Sequence, residues 1–195
     1  MTTKRSVGIV FCSGALALAL TAAAADPAPF SVTSKTFKDG QMMPRKVSNA
    51  NPSNPNCVGD NVSPQLTWTN APAGTRSFAI LMLDPEGRGG AGVSHFVAYG
   101  IPADVTSFSE GELSKPSEKY VGGKGTGGNA SYGGPCTPPG SAHHYTFVIV
   151  ATDLEPKELP AGLTREEFLA KLAPPGGPSH AKGSTGIVGL FHHPK

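Results

Sequence analysis

The sequence predicts a mainly β protein, and three observations carry that expectation. Glycine and proline number 25 and 19 among 195 residues, which favours short strands joined by structured turns. Charged residues make up only 15% of the chain, which disfavours long solvated helices. Five short apolar or alternating segments, each bounded by turn chemistry, supply the strands.

The first of these, Gln65 to Thr69, alternates around Leu66 and Trp68, and Pro72 with Gly74 then turns the chain. Trp68 reads as core. Ser77 to Leu83 is a continuous apolar run suited to a strand buried on both faces, and it stops at Asp84-Pro85. Beyond the glycine-rich link 87–92, a strand from Ser94 to Ile101 would place His95, Val97, Tyr99 and Ile101 on one face by the two-residue period. His144 to Thr152 is the strongest strand and is expected to be central, with Tyr145, Phe147 and Ile149 on one side. A short helix should start at Thr164, where Glu167 completes a capping box and Phe168, Leu169 and Leu172 form the apolar stripe. Pro174 and Gly176 stop it, and Ile187 to Phe191 returns as a last strand. Residues 38–64 and 103–142 read as long irregular stretches.

At the N-terminus, Lys4 and Arg5 precede an apolar run from Val7 to Leu20 and the small-residue tract Ala22 to Ala25. That is the layout of a secretory signal peptide. The run is shorter than the roughly 20 residues a membrane span needs, and a retained anchor is the competing reading. Cys12 lies too deep in the run for lipid attachment. Residues 1–25 are therefore expected to be a signal peptide cleaved near Ala25, and 26–195 one domain that is periplasmic or secreted, with no integral membrane segment in the mature form. About 170 residues suffice for one domain with its own core. Cleavage would leave two cysteines, Cys57 and Cys136. In an oxidising compartment they suggest one bridge, two buried free thiols being the alternative.

Net charge is +2 with no basic cluster, so no nucleic-acid partner is implied. Gly123 to Gly128 matches a Gly-x-Gly-x-x-Gly pattern, but it neither follows a clear strand nor opens a helix, so a dinucleotide fold is not supported. No nucleophile elbow or zinc-type cysteine pair occurs, and no cofactor is implied. Three strand ends carry the chemistry instead: Asp84, His95 and His143. One carboxylate and two imidazoles around a hollow can hold a phosphate-like anion if at least one ring is protonated. Binding would then weaken as pH rises. His144 alternates to the opposite face, and His180, His192 and His193 read as solvated.

These residues sit within motifs that resemble the phosphatidylethanolamine-binding protein family, particularly its bacterial Raf-kinase-inhibitor-like branch. The motifs are Ser63-Pro64-Gln65-Leu66-Thr67-Trp68, Pro72-Ala73-Gly74-Thr75, Asp84-Pro85-Glu86, His95-Phe96-Val97, Tyr132-Gly133-Gly134-Pro135-Cys136 with Pro138-Pro139-Gly140, and His143 before Tyr145. The resemblance implies a large antiparallel sheet packed on a smaller one, with one or two peripheral helices. It also implies a pocket of Asp84, His95 and His143, lined by Tyr145, Pro138 and Pro139, that accepts a small anion or a phospholipid head group. A protein partner, a kinase or protease, would follow from the same family. This sequence departs from the family at Glu86, at Gly87-Arg88, at His144 and at Val93-Ser94. The favoured expectation is a non-enzymatic binding protein without a metal; the alternative is a hydrolase with a metal on Asp84, His95 and His143.

Overall fold

The computed structural model describes residues 1–2 and 28–194. The expected signal peptide, Cys12 and the cleavage position near Ala25 lie outside the described residues. Two sheets form the body. The large one has the order β2-β9-β8-β4-β5-β7, and the small one the order β1-β3-β6. The strands are β1 (Ser31–Thr33), β2 (Gln41–Met42), β3 (Leu66–Thr69), β4 (Ser77–Asp84), β5 (Val93–Pro102), β6 (Ser107–Phe108), β7 (Val121–Gly122), β8 (His143–Thr152) and β9 (Ala181–Phe191). A single turn, α1 (Gly87–Gly90), links β4 to β5, and α2 (Arg165–Leu172) precedes β9. Pairing is antiparallel throughout except at the two-residue edge, where β2 runs parallel to β9.

β4 is buried at every position but Leu83, because both of its edges are hydrogen-bonded and both of its faces are covered. Its even-numbered side chains Phe78, Ile80 and Met82 face the small sheet. There they join Trp68, Phe108, Tyr145, Phe147 and Ile149 in the larger core. Its odd-numbered ones, Ala79 and Leu81, face α2 and meet Val97, Tyr99, Val150, Phe168 and Leu172. Tyr99 stacks on Phe168 at 5.3 Å. Helix α2 starts where the capping box predicts: the Thr164 hydroxyl accepts from the Glu167 N–H, and the Glu167 carboxylate accepts from the Thr164 N–H.

β5 departs from the strict two-residue period. Met82 pairs with Phe96 and Leu83 with Ser94, so His95 is an extra residue in a β-bulge. A second irregularity sets Phe78 against Ile101 and Ile80 against Ala98, leaving two residues, Tyr99 and Gly100, opposite Ala79. Gly100 takes φ 63° there, and a Cβ on it would collide with the Pro156 carbonyl. The consequence corrects the expectation that His95, Val97, Tyr99 and Ile101 share a face. Val97 and Tyr99 face α2, Ile101 faces the small sheet, and the His95 ring lies against Tyr145 of the larger core.

The strand predicted over Ile187–Phe191 begins six residues earlier, at Ala181, since backbone pairing to β8 needs no apolar period. His180, expected to be solvated, pairs with Asp153 at 2.8 Å. The return of β9 alongside β8 brings the two together from 27 positions apart, a contact without a local signature. Segments 38–64 and 103–142 contain only two-residue strands and single 3₁₀ turns (Arg45–Val47, Glu112–Ser114), too short to be read from periodicity. Among the described residues no helix is long and apolar enough to cross a membrane.

Candidate functional site

Asp84 closes β4 on the side of the small sheet. Its Oδ1 accepts the N–H groups of Glu86 (3.1 Å) and Gly87 (3.0 Å), the bonding of an Asp-initiated turn. The turn thus occupies one carboxylate oxygen and leaves Oδ2 for the site. A Cβ on Gly87 would run into Val93 and stand 3.1 Å from that Oδ2, so the tightness of the turn requires glycine.

Two imidazoles converge on Oδ2. His143, the first residue of β8, places Nδ1 at 2.9 Å, and His95, aimed by its bulge, places Nε2 at 3.7 Å. Asp84 is 4% exposed and the two rings are mostly covered. Burial by itself would raise the Asp84 pKa, but the hydrogen bonds and charges of His95 and His143 outweigh it and hold the carboxyl at about 2. The group is ionised across the physiological range. His95 Nδ1 lies 3.0 Å from the Gly133 carbonyl, which can only accept, so the proton sits on Nδ1 and Nε2 faces the carboxylate.

Tyr145 stands between the rings, edge-on to His95 at 5.2 Å and stacked with His143 at 6.4 Å. Its hydroxyl shares a 2.7 Å hydrogen bond with Thr137. Burial, together with the Asp84 charge, pushes its phenol well above the usual tyrosine range, so it stays neutral. Pro138 and Pro139 are exposed on the loop from Thr137 to His143, the strand start that carries His143.

The wall behind His95 is tied down by the irregular segment 45–61. Ser48 Oγ and the Asn49 N–H both donate to the Pro135 carbonyl, at 2.7 and 2.9 Å. The Tyr132 hydroxyl donates to Val47, and Asn61 bonds both the Tyr132 carbonyl and the Gly134 N–H. Cys57 and Cys136 are joined by a disulfide across the same seam. A Cβ on Gly134 would overlap the Val47 carbonyl, so the two segments meet backbone to backbone. Asn61 and the Gly133 carbonyl therefore position His95. The sequence reading missed both, Asn61 for want of any partner nearby in the chain.

Glu86, read from sequence only as a departure from the family pattern, clamps the start of β8. Its carboxylate accepts from the His144 N–H (3.1 Å) and lies 2.7 Å from His144 Nδ1. Donor atoms of Asp84, Glu86 and His143 all fall within 4.8 Å of one another, a set able to hold a metal ion. That set replaces His95 of the expected metal trio with Glu86. A cavity of about 550 Å³ opens on the α2 face of the same strand ends; Asp84 lines it, and neither His95 nor His143 does.

The protein is thus a two-sheet β protein with a buried carboxylate and two imidazoles gathered at the strand ends. The family model described as phosphatidylethanolamine-binding protein matches residues 33–176. The UPF0098 protein YbcL of Escherichia coli (strain K12) is 36% identical over 143 residues, covering 71% of this chain and 76% of its own. A UPF0098 protein of Aquifex aeolicus (strain VF5) is 32% identical over 143 residues, 72% and 78% of the two chains. LppC of Mycobacterium tuberculosis (strain ATCC 25618 / H37Rv), which carries a lipoprotein name, is 32% identical over 164 residues, 84% and 72% of the two. The crystal structure of E. coli YbcL, described as a new member of the mammalian PEBP family, superposes with a TM-score of 0.73 at 29% identity, covering 85% of this chain and 99% of that one. The chain belongs to the phosphatidylethanolamine-binding protein family.

Proposed function

We propose that this protein is an exported, non-enzymatic binding protein whose Asp84–His95–His143 cluster takes a phosphate or phosphoethanolamine-type head group. The single observation that carries the reading is the convergence of two imidazoles on one buried carboxylate oxygen, beside a neutral tyrosine. Charge counting gives the ligand class. With one ring protonated the cluster is neutral, which suits a zwitterionic head group; with both protonated it carries one positive charge, which suits phosphate. Binding weakens as pH rises, because each lost proton removes a donor. Residues 26–195 form one domain, released to the periplasm or medium after removal of residues 1–25. The pocket then stands available to a protein partner of the kinase or protease class.

Calorimetric titration with phosphate and phosphoethanolamine tests the reading. His143→Ala and Asp84→Ala should each weaken binding by about tenfold or more, on the order of 1.4 kcal/mol, with the sheet intact by circular dichroism. Equal affinity in wild type and both variants removes the assignment. The second reading, metal-dependent hydrolysis, draws on the closeness of Asp84, Glu86 and His143. A stoichiometric metal bound by those three, with metal-dependent turnover, would replace the binding-protein reading.

A further inference from the structure

The cavity on the α2 face has walls of two kinds. One is apolar, with Leu83 and Val93; the other is polar, with Lys124, Thr126, Thr146 and Arg165. Its volume of about 550 Å³ falls in the range of small-molecule sites. The Gly-x-Gly-x-x-Gly run, which fits no dinucleotide fold, finds its place here. Folding lays it across the N-terminus of α2, where the Lys124 N–H donates to the Leu163 carbonyl and Lys124 bridges to Thr164.

The polar groups left over in this cleft are mainly donors. The capping box uses the N–H groups of Thr164 and Glu167, leaving those of Arg165 and Glu166 as the first-turn amides without an intrahelical partner. Arg165 Nε is buried and unpaired among the described residues, and its guanidinium reaches only the exposed Glu166, at 3.3 Å. Lys124 adds an ammonium, and none of the ion pairs among the described residues engages it. Two carboxylates line the cleft: that of Asp84 is committed to His143 and the turn, and that of Glu166 is largely exposed and turned toward Arg165 Nη1, while the neighbouring Glu167 is used by the cap. A buried donor without a partner costs free energy that a bound acceptor recovers.

We propose that this cleft is a second ligand site, separate from the histidine cluster, for a small organic anion: one carboxylate or phosphate on a short apolar body. The charged group sits against Arg165, Lys124 and the open amides of α2, and the apolar body lies along Leu83 and Val93.

Two-dimensional amide NMR of the exported protein, titrated separately with hexanoate and hexyl phosphate, tests this. Saturable shifts at Thr126, Thr146 and Arg165 with either probe support the site, and the tighter probe identifies the charged group. The double variant Lys124→Gln/Arg165→Gln should weaken the response about tenfold or more while leaving phosphoethanolamine titration of the histidine cluster unchanged, and His143→Ala should leave the response intact. Thr146→Trp, which fills the cleft, should abolish it; the surface variants decide the matter if that protein does not fold. Absence of saturable shifts with both probes, or shifts confined to His95 and His143 and lost in His143→Ala, overturns the proposal. The first result leaves the reading of the histidine cluster to its own titration, and the second assigns the anion to that cluster.

Discussion

The two faces of the large sheet treat their polar groups in opposite ways at the same strand ends. Toward the small sheet, Asp84, His95, His143 and Tyr145 answer one another and the backbone, and the wall behind them is closed by a disulfide and by hydrogen bonds from Ser48, Asn49 and Asn61. Toward α2, the cleft keeps Lys124, the Nε of Arg165 and two helix amides open beside apolar side chains. The contrast teaches that a site can be preorganised by spending its polar groups on each other, which holds geometry, or by leaving them unspent, which holds affinity in reserve.

Four perturbations separate the faces. The largest expected effect comes from Cys57→Ser/Cys136→Ser. Opening a crosslink between residues 79 apart should lower stability by about 4 kcal/mol in urea unfolding. Hydrogen exchange should rise at residues 131–137 and not in α2; uniform loosening would show that the faces are not independent. Gly134→Ala comes next, at about 3 kcal/mol, because its Cβ would overlap the backbone of Val47, Ser48 and Asn49 rather than a movable side chain. A thermal melt unchanged from wild type would contradict the backbone contact.

Asp84→Asn should cost about 2 kcal/mol at neutral pH. Its folded pKa of about 2 lies below the ordinary 3.8, so the stabilisation is present above that ordinary value and is lost as pH falls through 2. The gap between wild type and variant in urea midpoints should therefore close in acid; a constant gap would place the cost in packing rather than charge. The smallest effect belongs to Thr164→Ala, about 1 kcal/mol from the lost cap, with phosphoethanolamine binding unaltered. A changed affinity would couple the helix face to the histidines.

Much of the fold was legible because its longest elements carry strong local signals. The unbroken apolar run of β4, the alternation of β8 and the Thr164–Glu167 box each report a single nearby interaction, and each element formed within a residue or two of its expected bounds. The short strands β1, β2, β6 and β7 did not announce themselves, since a two- or three-residue strand has no period and owes its existence to a neighbour. The chemistry-bearing residues were legible as well, because Asp84, His95 and His143 sit at strand ends within family motifs. The face of His95 was not, since a bulge changes side-chain direction by one residue, and only pairing against Met82 and Leu83 reveals it.

The amino-acid sequence by itself determined which of the longer segments become strands, where helix α2 begins, and which side chains carry charge at the strand ends. Those properties depend on propensity and on partners a few residues away. Only the tertiary structure decided that Oδ2 of Asp84 faces two imidazoles, that Glu86 holds His144, and that a glycine-rich loop comes to rest on the start of α2. Those contacts join positions far apart in the chain, and their free energy exists only once the sheets have closed around them.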